Sequence, residues 1–148
     1  MSPEMKAAVD AFESDRPQKC SVRPQANPIY TLITLDGWPR AVHYEFRDRA
    51  EGRDLYVEFH IEDPKYLYIK DTLRTLVSEI EEFSGFKIDY FESRPSPHRK
   101  KWPSASVAVP KGPDGSMAAT AMRSLIAATS GPLGSALERL RSTDRIAA

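Results

Sequence analysis

The stretch Arg40–Asp63, RAVHYEFRDRAEGRDLYVEFHIED, decides the fold. Its first half sets Val42, Tyr44 and Phe46 against Ala41, His43 and Glu45. Its second half alternates Leu55, Val57, Phe59 and Ile61 with Tyr56, Glu58, His60 and Glu62. Alternation with a period of two marks a strand with one buried face. The polar link DRAEGRD between them predicts a turn, so the two strands pair antiparallel. Upstream, Ile29–Leu35 (IYTLITL) is β-branched and aromatic and ends at the turn dipeptide Asp36-Gly37, which adds another strand. Downstream, Asp63 suits an N-cap and Pro64 a first helical position. Tyr66, Ile69, Leu73, Leu76, Val77, Ile80 and Phe83 then recur at helical spacing, and Gly85 supplies a stop, so one helix is predicted from Asp63 to Gly85.

Phe86–Phe91 and Trp102–Val109 read as a fourth and a fifth strand. A second long helix runs from Met117 to Thr129 and is broken by Gly131-Pro132. Leu133, Ala136, Leu137 and Leu140 mark a last short helix. At the other end, Met5, Val9 and Phe12 form a small stripe on a helix over residues 3–13, too short to stand without docking. Residues 14–28 are polar, contain three prolines and read as an extended connection. The expected fold is a single α+β domain in the order α-βββ-α-ββ-α, with a mostly antiparallel five-stranded sheet, helices on one face and the other face open. Residues 1–28 are expected to be an arm and linker, 29–141 the domain and 142–148 a flexible tail.

A chain of 148 residues can bury a core without metal or disulfide staples. Lys+Arg and Asp+Glu both number 21, which argues against a wholly basic nucleic-acid binder. Cys20 stands alone, so a disulfide scaffold and a cysteine-rich zinc module are excluded. The acidic N-terminus MSPEMKAAVDAFESD is unlike a signal or transit peptide, and no apolar run is long enough to span a bilayer; the expectation is a cytoplasmic protein with no membrane partner.

Two constellations carry chemistry. The apolar residues of the central strands must share one face, which puts His43, Glu45, Glu58, His60 and Glu62 together on the other. Pairing Val42 with Phe59 sets His43 opposite Glu58. A solvated face with cross-strand charge pairing is the preferred reading, so no metal and no cofactor are expected; the alternative is a divalent-metal or acid–base site on the His43, Glu45, Glu58, His60 face, with His43, Glu58 and His60 as the candidate ligands. The second constellation is RPSPHRKKW. Between Arg94 and Lys111 there are five Lys or Arg and no acid, whereas Arg40–Glu92 holds thirteen acids against eight bases. Cations beside an aromatic ring suit phosphate contact and base stacking, so Arg94, His98, Arg99, Lys100, Lys101, Trp102 and Lys111 are the expected nucleic-acid contacts. No phosphate-binding glycine loop, nucleophile elbow or restriction-nuclease carboxylate–lysine spacing occurs, and no catalytic residue is expected.

The strand LYVEFHIE, the helix ending in EIEEFSG, the strand FKIDYF and the later strand SASVAVP, over about residues 55–140, resemble an uncharacterised domain that follows restriction-endonuclease-like nuclease domains in bacterial defence proteins. The element order also resembles that of type III secretion chaperones. The first resemblance implies a non-catalytic binding module of a larger defence- or nuclease-associated assembly, contacting nucleic acid through the basic stretch. The second implies a protein-interaction module or chaperone-like homodimer.

Overall fold

The alternation in Arg40–Asp63 becomes the centre of an antiparallel sheet. In the computed structural model, residues 1–48, 52–80, 82–83, 85–94 and 102–147 are described, the side chains of 82–83, 93–94 and 140–147 excepted. Seven strands follow the chain: β1 Cys20–Pro24, β2 Tyr30–Leu35, β3 Val42–Asp48, β4 Asp54–Ile61, β5 Glu82–Phe83, β6 Phe86–Arg94 and β7 Trp102–Pro110. They lie in the order β1-β2-β3-β4-β7-β6-β5, with every neighbouring pair antiparallel. The helices are α1 Pro3–Ser14, α2 Lys70–Glu79 and α3 Ser116–Ala147.

The mixed α+β domain with an antiparallel sheet is as expected, with two strands more, β1 and the short β5. Residues 20–24 are not a plain connection: β1 pairs along its whole length with β2, from Cys20 opposite Leu35 to Pro24 opposite Thr31. Proline is tolerated there because β1 is an edge strand with no neighbour on its other side. The N-terminal helix docks. Met5, Ala8, Val9 and Phe12 are buried, and the Phe12 ring meets Phe46 edge-on at 5.8 Å. Gly115 has φ +67, and a Cβ there would stand 2.3 Å from the Ala8 backbone nitrogen, so only glycine lets the start of α3 approach α1.

Two helix boundaries differ from expectation. Asp63 does cap, accepting from the Lys65 amide, but Pro64–Ile69 is a 3₁₀ segment and the α-helix ends at Glu79. Gly85, with φ +82, turns β5 into β6 rather than ending the helix. Nor does Gly131-Pro132 break α3, which runs through Pro132. Proline removes one backbone bond there, but Met122, Leu125, Ile126, Leu133, Ala136 and Leu137 keep one buried stripe on both sides of it, and that packing holds the helix together.

The helices cover the face bearing Val42, Tyr44, Phe46, Leu55, Val57, Phe59, Ile61, Val107 and Val109, all buried in one core. The opposite face was expected to be open. At its centre it is not: His43, Glu45, Arg47, Glu58, Ser104 and Ser106 are buried. These side chains stand side by side on β3, β4 and β7, strands flanked on both edges, and they shield one another from water.

Candidate metal centre

The β3–β4 register sets Val42 opposite Ile61, two residues from the expected pairing. A shift of two preserves the face, so the grouping of residues survives while the partners change. His43 lies across from His60, and Glu45 across from Glu58. The imidazole rings are parallel within 5° at 5.7 Å between centroids.

Hydrogen-bond bookkeeping at these rings is demanding. His43 Nδ1 is 2.9 Å from the Arg40 carbonyl oxygen, which only accepts, so Nδ1 carries a proton and donates it. His43 Nε2 then faces Glu45 Oε1 at 3.1 Å and Glu62 Oε1 at 3.9 Å, both acceptors when ionised. His60 repeats the pattern, with Nε2 at 3.0 Å from Glu58 Oε1 and 3.7 Å from Glu45 Oε1, and Nδ1 at 3.3 Å from Glu62 Oε1. Every ring nitrogen thus faces an oxygen that accepts. A neutral imidazole has one donor and cannot satisfy two such neighbours. Each ring needs either a second proton or a cation.

Formal charge makes the same demand. Glu45, Glu58 and Glu62 set three negative charges against the Arg47 guanidinium, leaving −2 with both imidazoles neutral. Arg47 is already committed to Glu58, with Nε at 3.1 Å from Oε1 and Nη2 at 3.3 Å from Oε2. Its guanidinium carbon also lies 4.7 Å above the Tyr56 ring. Ser106 Oγ donates to Glu58 Oε2 at 2.7 Å. Burial opposes ionisation of Glu58, but His60, Arg47 and Ser106 outweigh it and hold the carboxyl below its ordinary value. Glu62 is lowered in the same way by His60 and His43 against burial. Burial disfavours charge on His60 as well, yet Glu45, Glu58 and Glu62 together push it up to about 10. Two buried polar atoms of this face, Glu45 Oε2 and Ser104 Oγ, have no hydrogen-bond partner among the described residues, and Ser104 is the register partner of His60 on β7.

Two overlapping donor sets have ligand atoms within 4.8 Å of one another: His43, Glu45 and Glu62, and Glu45, Glu58 and His60. Donors bound tetrahedrally to one ion at about 2.1 Å lie about 3.4 Å apart, so the widest-spaced donors of a set have to close by up to about 1.4 Å as an ion binds. Glu45 belongs to both. The sequence places His43, Glu45, Glu58 and His60 on this face; it does not show that Glu45 is shared between the two sets, nor that the Arg40 carbonyl fixes the His43 tautomer.

Comparison with protein-family models, curated proteins and solved structures finds no match to this chain.

Of the basic stretch, the described side chains Trp102 and Lys111 lie at opposite ends of β7. His98, Arg99, Lys100 and Lys101 lie outside the described residues, and so does the side chain of Arg94. Trp102 is half-buried where it pairs with Arg94. Lys111 stands beyond the far end of β7, about 30 Å from Trp102 at about 3.3 Å per residue. There it is bound to Asp48 at 2.7 Å. Asp48 also accepts from Ser2, the residue whose hydroxyl caps α1. Lys111 therefore ties the N-terminal helix to the sheet. Cys20 is buried in β1, and burial pushes its thiol up, which disfavours the reactive thiolate.

Proposed function

We propose that this domain is a divalent-cation-binding module, with the ion seated on Glu45 between His43 and His60 and with Glu58 and Glu62 completing the donor set. The observation that carries the reading is that all four ring nitrogens of a buried histidine pair face oxygens that can only accept. One divalent cation cancels the formal −2 that Glu45, Glu58, Glu62 and Arg47 leave, and lets both imidazoles be neutral. The Arg40 carbonyl orients His43 as backbone carbonyls orient metal-bound imidazoles elsewhere. Mixed imidazole and carboxylate donors suit zinc, manganese or ferrous iron rather than calcium or magnesium. The test is metal content after equilibration with zinc or manganese and desalting. About one ion per chain in the wild type, and none in His43→Ala/His60→Ala, is the expected result; equal metal in both overturns the reading.

A second reading keeps the expectation of nucleic-acid contact, and with it the resemblance to a nuclease-associated module. It is favoured by the position of the two ends of the basic stretch. Arg94 pairs with Trp102 at the end of the sheet where His43 faces His60. Filter retention of single-stranded DNA at low salt, lost in Arg99→Glu/Lys100→Glu/Lys101→Glu, supports it. No retention by the wild type removes it. The chaperone-like dimer has no specific observation behind it.

A further inference from the structure

A cleft of about 530 Å³ opens where β1 and β2 meet the β2–β3 turn, lined by Arg23, Pro24, Gln25, Thr34, Leu35, Asp36, Gly37, Trp38 and Arg40. We propose that this cleft binds a nucleoside phosphate, with the Arg23 and Arg40 guanidinium groups on the phosphate and the Trp38 wall against the base. The proposal goes beyond the ion site and does not depend on it.

The charge placement is the first argument. Arg23 and Arg40 are exposed, and neither makes an ion pair among the described residues, although Asp36 lines the same cleft. Arg23 is held instead by donating from Nε to Thr34 Oγ1 at 3.1 Å, which leaves both terminal nitrogens of the guanidinium for a ligand. Arginine's planar fork matches phosphate oxygens in a bidentate way. Arg40 is anchored through its backbone, because its carbonyl accepts from His43 Nδ1 while its side chain is unengaged among the described residues.

The wall is the second argument. Trp38 stacks on Tyr44 at 6.0 Å and 29°, meets Phe59 edge-on at 6.4 Å, and lies close to Gly134 of α3, where a Cβ would be in ordinary contact with the indole. The ring contacts hold the indole in place, and its remaining surface lines the cleft with Leu35 and Pro24. A fixed indole is a stacking platform whose side-chain ordering is complete before the ligand arrives. The third argument is the polar remainder. Asp36 accepts and Gln25 both donates and accepts, a set that fits sugar hydroxyls beside a phosphate. An inorganic anion would use the two arginines alone and leave this wall and Asp36 without purpose.

The nucleoside phosphate has two sources, a free nucleotide or a nucleic-acid strand, and the test separates them. In Trp102→Phe, Trp38 is the only indole, so its fluorescence reports the cleft. Titrants are AMP, inorganic phosphate and a single-stranded oligonucleotide; calorimetry on the wild-type chain repeats each titration in case the variant folds poorly. The proposal predicts quenching by AMP at least about tenfold tighter than by phosphate, with Arg23→Ala and Arg40→Ala each weakening AMP by about tenfold. An oligonucleotide that binds still more tightly, with an affinity that falls steeply with salt, supports the proposal and makes a strand the source. Absence of AMP binding up to about 10 mM, equal affinity for phosphate and AMP, or binding unchanged in both arginine variants overturns it.

Discussion

His43 and His60 face each other across the β3–β4 pairing, their rings parallel within 5°, and both Nε2 atoms approach the same carboxylate oxygen of Glu45, at 3.1 and 3.7 Å. Two imidazoles converging on one acidic oxygen cannot both be satisfied as neutral rings unless something positive sits between them.

The metal-free chain is expected to lose stability on the alkaline side of neutrality. His60 is raised from 6.5 to about 10 in the folded state. A group raised on folding contributes fully below its unfolded value, and its contribution disappears as pH climbs through the folded one. Glu58 and Glu62 are lowered from 4.5, so their contribution is present above that value and is lost as pH falls through their folded values. The urea midpoint of the metal-free protein should therefore be highest between about pH 4.5 and 6.5 and decline toward pH 9. His60→Gln should flatten the alkaline limb. A wild-type midpoint that is constant from about pH 6.5 to 9 contradicts the assignment.

Removing half of the buried ion pair should cost more than removing all of it. Arg47→Met leaves the Glu58 carboxylate buried without its guanidinium, a loss of about 3–5 kcal/mol by urea unfolding. Arg47→Met/Glu58→Gln should recover part of that, because a neutral amide tolerates the site better. A double variant no more stable than the single would show that the pair contributes by packing alone.

The close approach of α3 to α1 makes a sharp prediction. Gly115→Ala combines a positive φ with a Cβ 2.3 Å from backbone, where no flexible side chain can yield, so a loss of about 3 kcal/mol or more is expected. A thermal midpoint within a degree or two of wild type would contradict the docking of α1.

Pro132 lies in the interior of α3 and is exposed. Pro132→Ala restores a backbone donor without disturbing the buried stripe and should stabilise the chain by about 1–3 kcal/mol, read from the urea midpoint. Destabilisation would mean that the proline sets a bend that the packing of Leu133 and Leu137 needs.

The sheet was legible because alternation in β3 and β4 is a local signal, and face parity follows from it whatever the exact register. What local signals missed was decided by tertiary contact. β1 has little apolar patterning and exists because β2 offers an edge. The helix after Asp63 ends early because Phe86–Arg94 claims its place beside β7, and the turn into that strand consumes Gly85. The His–Glu face was read correctly as a grouping, but its burial was not legible. Polar residues on a strand suggest water, and only the flanking strands show that β3 and β4 are central. That Glu45 lies between the two Nε2 atoms was not legible either, since the register of β3 against β4 decides it.

The central claim, a divalent ion in place of protons between His43, Glu45 and His60, is tested most directly by calorimetric titration of the metal-free chain with zinc or manganese near neutral pH, in two buffers of different ionisation enthalpy. The account predicts one site per chain, tighter than about 10 μM, with between one and two protons released per ion and affinity falling as pH is lowered. Binding weaker than about millimolar, or binding that releases no proton and is unchanged in Glu45→Gln, would contradict it.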